Sequence, residues 1–253
     1  MFFKKRIIRK YREKLLKIKN QNKEKILSQK LEFSKILNHD IKTVVLAQEN
    51  CLNMILKENF GKITKEQSEI INQILSSNKF LIEIINNSIY LAQIEEKTAD
   101  LNYENIDIVN QATSCFKDIQ YLIKDKNQRF ILKTNNNNKI NLSGDRKLIQ
   151  KIISNILAGS VSYGFEKSDI VVTIEENDKE ISFYAKNKSL YMTKEKINGI
   201  FDTKRTSNDF NQLGMKLNLN VAKKLVDAHH WKFVLKSDKE DESSTFGFVV
   251  KKG

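Results

Sequence analysis

His39, Asp40 and Thr43 are the residues of this chain whose types and spacing best suit chemistry. His39 is one of three histidines among 253 residues. Read as helix, the surrounding segment places positions 27, 31, 34, 38, 41, 45, 48, 52 and 55 at alternating steps of four and three, the seam of a helical bundle. Leu27, Leu31, Ile41, Val45, Leu52 and Ile55 make that seam apolar. His39 falls just off it, and its neighbours one turn away, Lys35, Ile36, Lys42 and Thr43, form a mostly polar face. A histidine facing outward from a helix with a buried seam is not there for packing. Its imidazole has the Asp40 carboxylate beside it and the Thr43 hydroxyl one turn on. The plainer alternative is a solvated helix face that happens to hold a histidine, and the downstream sequence weighs against it.

The elements that must position these groups can be read in order. Residues 1–26 form a basic helical lead-in. Residues 27–57 form the first bundle helix, followed by a turn at Asn59–Thr64 with Gly61 as its breaker. Thr64 and Gln67 form a capping box for a second helix that runs to about Glu96. Two long amphipathic helices joined by a short loop make an antiparallel hairpin over residues 27–97. One hairpin leaves its seam open, so two chains are expected to pair into a four-helix bundle, a homodimer. Beyond residue 105 the pattern changes. Strands are expected at Ile106–Ile108, Arg129–Lys133, Lys139–Leu142, Asp169–Glu175, Glu180–Ala185, Trp231–Lys236 and Phe246–Val250. Helices are expected up to Lys124, over Arg146–Tyr163 and over Leu217–Ala228. This order predicts an α/β sandwich over 105–253, with helices on one face of a largely antiparallel sheet.

Composition narrows the function. The net charge of +13 suggests nucleic acid until it is located. Residues 1–30 hold twelve Lys or Arg against two Glu, a charge of +10, which leaves +3 for the other 223 residues. The basic character belongs to one terminal segment, not to a nucleic-acid face of the folded body. Phe2, Phe3 and that cluster suit contact with an anionic membrane surface, and a solvated lead-in to the bundle suits them as well. No run of 18 apolar residues predicts a membrane span. Cys51 and Cys115 are isolated and read as reduced cytoplasmic thiols. No Cys or carboxylate cluster supports a metal at His229-His230, which reads as a structural turn.

The stretch His39-Asp40-Ile41-Lys42-Thr43-Val44 resembles the phospho-acceptor box of sensor histidine kinases, H-[DE]-x-[KR]-T-P, without its proline. Asp145–Ile149 leading into Asn155-Ile156-Leu157, then Ile200-Phe201-Asp202, then Ala222–His229 extend the resemblance to the ATP-binding domain of that family, over about residues 27–253. The resemblance implies an α-helical hairpin, dimeric as a four-helix bundle, followed by an α/β sandwich of the histidine-kinase ATPase type. It implies that His39 takes a phosphoryl group, that Asp40 orients the ring and accepts its proton, and that Thr43 positions water for dephosphorylation of a partner. That partner would be the receiver domain of a response regulator. ATP and magnesium are the cofactors implied, at Asn155, Tyr163, Asn187, Gly214 and Lys216.

The nucleotide boxes depart from the family pattern. The box N-L-L-x-N-A-x-K-[YF] reads Asn155 to Tyr163, with Gly159 where a second Asn serves magnesium and Ser162 where a lysine stands. Glycine supplies no oxygen ligand. The box D-x-G-x-G begins with Asn187, whose amide oxygen can still accept a hydrogen bond, and Tyr191 is expected to fill space where backbone should approach a ligand. The box G-x-G-L-G reads Gly214 to Asn218, with one glycine of three. Such loops cradle phosphate with backbone N–H groups, and Lys216 offers either a cation for phosphate or only a solvated charge. The expectation is a cytoplasmic phosphotransfer protein with an impaired ATP site, in which Gly159→Asn and glycines at 216 and 218 would restore nucleotide use. An autokinase with a divergent site and a non-catalytic pseudokinase scaffold are the alternatives.

Overall fold

The computed structural model describes residues 39–95, 101–135, 139–201 and 210–252, with isolated helical positions before residue 39. Phe2, Phe3 and most of the basic segment, Leu27, Leu31 and Asn38 of the seam, and Asp202 lie outside the described residues. The chain divides into two compact units, Met1–Ala99 and Asp100–Gly253.

In the first unit, helix α1 covers residues 39–56 and helix α2 covers Lys65–Glu95. The turn between them needs Gly61, whose φ of 120° lies where a side chain is rarely tolerated. The capping box is present. Thr64 N–H donates to Gln67 Oε1 at 2.9 Å, and Gln67 N–H donates to Thr64 Oγ1 at 3.2 Å. Val45, Ile71 and Asn78 are buried, while Ile41, Leu52 and Ile55 are half-buried. A flanking stripe of Val44, Ala47, Cys51 and Met54, with Ile70 on α2, stays exposed, and so does Ile74, a position of the seam expected on α2. Among the described α1 seam positions Gln48 alone is exposed. An apolar face wider than one hairpin contact leaves its flank open.

The second unit runs β1 (Tyr103–Asp107), α3 (Ile108–Asp118), α4 (Gln120–Asp125), β2 (Arg129–Thr134), β3 (Asn141–Asp145), α5 (Arg146–Tyr163), β4 (Asp169–Glu176), β5 (Glu180–Lys188), α6 (Lys194–Ile200), α7 (Phe210–Ala228), β6 (Lys232–Asp238) and β7 (Ser243–Lys251). β1 and β3 form an antiparallel pair. The main sheet has the order β2-β4-β5-β7-β6, with β2 parallel to β4 and every other pair antiparallel. The segments on either side of the Asn135–Asn138 loop thus belong to different sheets. The helix expected to run to Lys124 is broken at Ile119, where α3 ends and α4 begins.

Alternation explains how the sheet is covered. Ile170, Val172 and Ile174 on β4, and Ile181, Phe183 and Ala185 on β5, are buried on one face. Helix α5 packs on β5 and β7 and between α3 and α7. The Phe183 and Phe248 rings stack at 5.4 Å, and Trp231 stacks on Phe248 at 5.3 Å. Asp145 caps α5 by accepting from Leu148 N–H at 3.1 Å, and its other oxygen accepts from Asn102 N–H at 3.1 Å. Both cysteines are free, Cys51 exposed and Cys115 buried.

Candidate functional site

On α1 the three acceptor-box residues share one exposed turn. His39 Nδ1 lies 3.3 Å from Asp40 Oδ1, with the two side chains 83% and 71% exposed. The Thr43 hydroxyl donates to the His39 carbonyl at 2.9 Å. Helical geometry alone produces this arrangement, because residues one and four apart fall within reach of one side chain. With Asp40 accepting from Nδ1–H, the Nε2 lone pair is the one directed to an incoming group.

The residues assigned to nucleotide gather around the second half of α5, where it is enclosed by β5 and α7. Asn155 and Asn187 are buried. Asn187 Nδ2 donates to the Ser160 carbonyl, which leaves its Oδ1 buried without a hydrogen-bond partner among the described residues; the Ser160 hydroxyl is in the same position. Tyr163 ends α5 with its ring 5.6 Å from Phe246, and burial pushes its hydroxyl up to about 12. Tyr191 is 42% exposed, so it does not fill the interior as expected.

Two further side chains fasten this end of α5. Lys126 Nζ donates to the carbonyls of Val161, Ser162 and Gly164 at 3.1, 2.8 and 3.2 Å. Gln128 Nε2 donates to those of Val161 and Phe165 at 3.3 and 2.9 Å. These bonds cap the last carbonyls of the helix, which have no partner within it. Neither residue stands out in the sequence.

The position that serves magnesium in the family is a glycine packed against Leu219. A Cβ on Gly159 would lie 2.7 Å from Leu219 Cδ2 and 3.1 Å from its Cγ, and Leu219 is fully buried. The phosphate loop expected at Gly214–Leu219 is not a loop. Helix α7 is described from Phe210 and so already includes residues before Leu217. The N–H groups from Gly214 onward lie within the helix. Lys216 is half-buried beside a cavity it helps to line with Ser162, Tyr163, Met192 and Ile200. Gly159 therefore supplies no oxygen ligand, and residues 214–219 are helical.

His229 is structural. Its Nδ1–H donates to the Leu225 carbonyl at 2.8 Å and its Nε2 accepts from Asp145 N–H at 3.3 Å, while His230 makes the turn with a φ of 60°.

Comparison with known proteins agrees with the fold of the second unit. Residues 144–253 match the family described as histidine kinase-, DNA gyrase B- and HSP90-like ATPase. The circadian input-output histidine kinase CikA of Synechococcus elongatus is 25% identical over 152 residues, 59% of this chain and 20% of that protein. The sensor histidine kinase YvrG of Bacillus subtilis is 23% identical over 226 residues, 83% of this chain and 36% of that protein. The chain spans less than half the length of these relatives. Among solved structures, full-length ShkA in complex with AMPPNP superposes with a TM-score of 0.63 at 16% identity, covering 87% of this chain and 45% of that one. Histidine kinase ThkA in complex with the response regulator TrrA gives 0.55 at 18%, covering 88% and 61%. An ATPase-type sheet with α5 and α7 laid over it and a matching domain lead to one conclusion: residues 144–253 form a domain of the histidine kinase-, DNA gyrase B- and HSP90-like ATPase family, in a chain similar to sensor histidine kinases.

Proposed function

We propose that this chain acts in two-component signalling by exchanging a phosphoryl group between His39 and the aspartate of a response-regulator receiver domain, and that its own ATP site is impaired. The observation that carries this reading is the contrast between an open acceptor turn and a nucleotide site in which Leu219 packs on Gly159. His39 Nε2 attacks the phosphorus of the receiver's acyl phosphate in line. The phosphorus–oxygen bond breaks, the receiver aspartate leaves as carboxylate, and Asp40 holds the ring and takes the Nδ1 proton. Transfer of this kind rests on positioning and electrostatics. Thr43 orients water when the phosphorylated receiver is hydrolysed.

The chain acts as a homodimer in the cytoplasm. Support for the dimer comes from the exposed stripe at Val44, Ala47 and Cys51, which with Ile74 borders a groove of about 550 Å³. Among the described residues no helix is long and apolar enough to cross a membrane. Contact of the basic N-terminal segment with an anionic membrane surface is a separate proposal, resting on its charge alone.

The test is radiolabel on His39, comparing ATP alone with a phosphorylated receiver. Label is expected from the receiver and not from ATP, and none in His39→Gln. Label from ATP alone that disappears in Asn155→Asp establishes a working autokinase instead. An unlabelled His39 together with unchanged signalling by His39→Gln establishes a scaffold.

A further inference from the structure

β2 lies at one margin of the main sheet, paired with β4 and with no strand on its other side among the described residues. Its first residue shows which backbone groups are left over. Arg129 N–H donates to the Ser168 carbonyl at 3.3 Å, so it points toward β4. Backbone groups alternate in direction along a strand. The N–H and C=O of Arg129, Ile131 and Lys133 therefore face β4, and those of Phe130 and Leu132 face outward. Side chains alternate as well. Arg129, Ile131 and Lys133 are exposed, while the half-buried Phe130 turns the other way, onto Phe116 of α3.

Beside this margin runs a groove of about 350 Å³ between β2, the end of α3 and α4. Its floor is apolar: the Phe116 and Phe130 rings stack at 4.6 Å, and Ile123 is buried. Its rim is basic, with Lys117 and Lys124 on the helices and Arg129 on the strand. Residues 116–133 as a whole carry five Lys or Arg against two Asp, a charge of +3. Asp169 pairs with Arg129 at 2.9 Å and still leaves the balance positive, and Asn135–Asn138 beyond the strand add no charge.

From these features we propose that β2 is a docking edge for an extended acidic peptide segment of a partner protein. The segment adds to the sheet beside β2, seats apolar side chains on Phe116 and Phe130, and sets its carboxylates by the surrounding lysines. A free strand edge is a template for such addition, with main-chain bonds giving affinity and pockets for alternate side chains giving selectivity. Charge decides the occupant. A second copy of β2 would bring Arg129 and Lys133 against their own counterparts, and like charges across a strand pair repel. A polyanion without a peptide backbone would meet the cations but leave the outward N–H and C=O groups unmatched. The edge shares no residue with those assigned to phosphotransfer or to nucleotide, so it stands or falls apart from that reading.

Fluorescence anisotropy of the full chain with a labelled, terminally blocked hexapeptide that alternates aspartate with phenylalanine or leucine tests it. Binding is expected, weakened by salt because the rim is exposed, and weakened about tenfold by Lys117→Glu with Lys124→Glu. Leu132→Pro removes an outward N–H at an edge position where proline is tolerated, and should abolish binding. Leu132→Ala gives up the leucine but keeps that N–H, and should change affinity less than about threefold. If Leu132→Pro does not fold, the parent chain is titrated with the peptide N-methylated on one or the other set of alternate residues. One set should abolish binding and the other leave it. No binding at about 1 mM peptide, equal affinity for a peptide with lysine in place of aspartate, Leu132→Pro binding as well as Leu132→Ala, or tolerance of both methylated sets overturns the proposal. Assembly beyond a dimer in sedimentation that Leu132→Pro removes gives the edge to a second copy and overturns it too.

Discussion

Leu219 of α7 occupies the space into which any side chain at position 159 of α5 would have to grow, 2.7 Å from the Cβ that Gly159 lacks. Both residues lie in the packed α5–α7 contact and Leu219 has no exposed surface to move into. Gly159→Asn is therefore expected to destabilise the domain by about 1–3 kcal/mol through overpacking, and not to return a magnesium ligand. Thermal melting with an ATP titration checks this. A variant at least as stable as the parent, with new Mg²⁺-dependent ATP binding, would show that Leu219 yields.

The acceptor turn should separate chemistry from stability. His39 and Asp40 are exposed, and the Thr43 hydroxyl bonds only back to its own helix among the described contacts. His39→Gln should melt within about 0.5 kcal/mol of the parent while accepting no phosphoryl group. Thr43→Ala should keep label on His39 and lengthen the lifetime of the phosphorylated receiver. A faster receiver decay in Thr43→Ala would remove the water-orienting role.

Lys126→Met removes a cation that answers three carbonyls at the C-terminal end of α5, where the helix dipole also favours positive charge. The half-buried site allows water to replace part of the loss. About 1–3 kcal/mol of stability should go, measured by denaturant unfolding. A change below about 0.5 kcal/mol would mean that Gln128 alone holds the turn.

Burial and the neighbouring His230 hold the His229 imidazole below its ordinary pKa, against the opposing pull of Leu225 O and Asp145. The unfolded chain therefore binds the proton more readily, and the stability that neutral His229 supplies is complete above about pH 6.5 and lost as pH falls through the lower folded value. Protonation also puts a donor on Nε2 where Asp145 N–H already donates. The melting temperature should fall between about pH 7 and pH 5, and His229→Gln should flatten that slope. An equally steep slope in the variant would assign the effect elsewhere.

Much of this was legible because it is local. The Arg146–Tyr163 helix matches its expected bounds, since an aspartate cap and a strong apolar period lie side by side in sequence. The hairpin turn with Gly61 and the Thr64–Gln67 box is equally local, as is the geometry of His39, Asp40 and Thr43 on one helical turn. What sequence reading missed depends on partners far apart in the chain. Gly214 reads as loop by propensity, yet it lies within α7, at a cost of about 1 kcal/mol for one glycine in a helix. Leu219 against Gly159, and Lys126 against the end of α5, join residues 35 or more positions apart. The partners of β2 and β3 are likewise chosen across the sheet and not by the loop between them.

One feature of the sheet bears on how the domain is made. β7, the last strand in sequence, lies between β5 and β6 rather than at the margin. Until it is in place β6 has no neighbour, and the face of β5 that β7 covers stays open. The β4–β5 hairpin can close early around Asn177, whose side chain accepts from Lys179 N–H and Glu180 N–H at 2.9 Å. The β6–β7 hairpin is local as well, pairing Asp238 with Ser243, whereas β2 with β4 and β5 with β7 pair residues far apart in sequence, such as Arg129 with Asp169 and Lys188 with Ser243, and such non-local closure slows folding. During synthesis, then, a ribosome carrying this domain holds a half-built sheet with an uncovered edge until Ser243–Lys251 has emerged, and that interval is when the nascent chain is most exposed to mispairing and proteolysis.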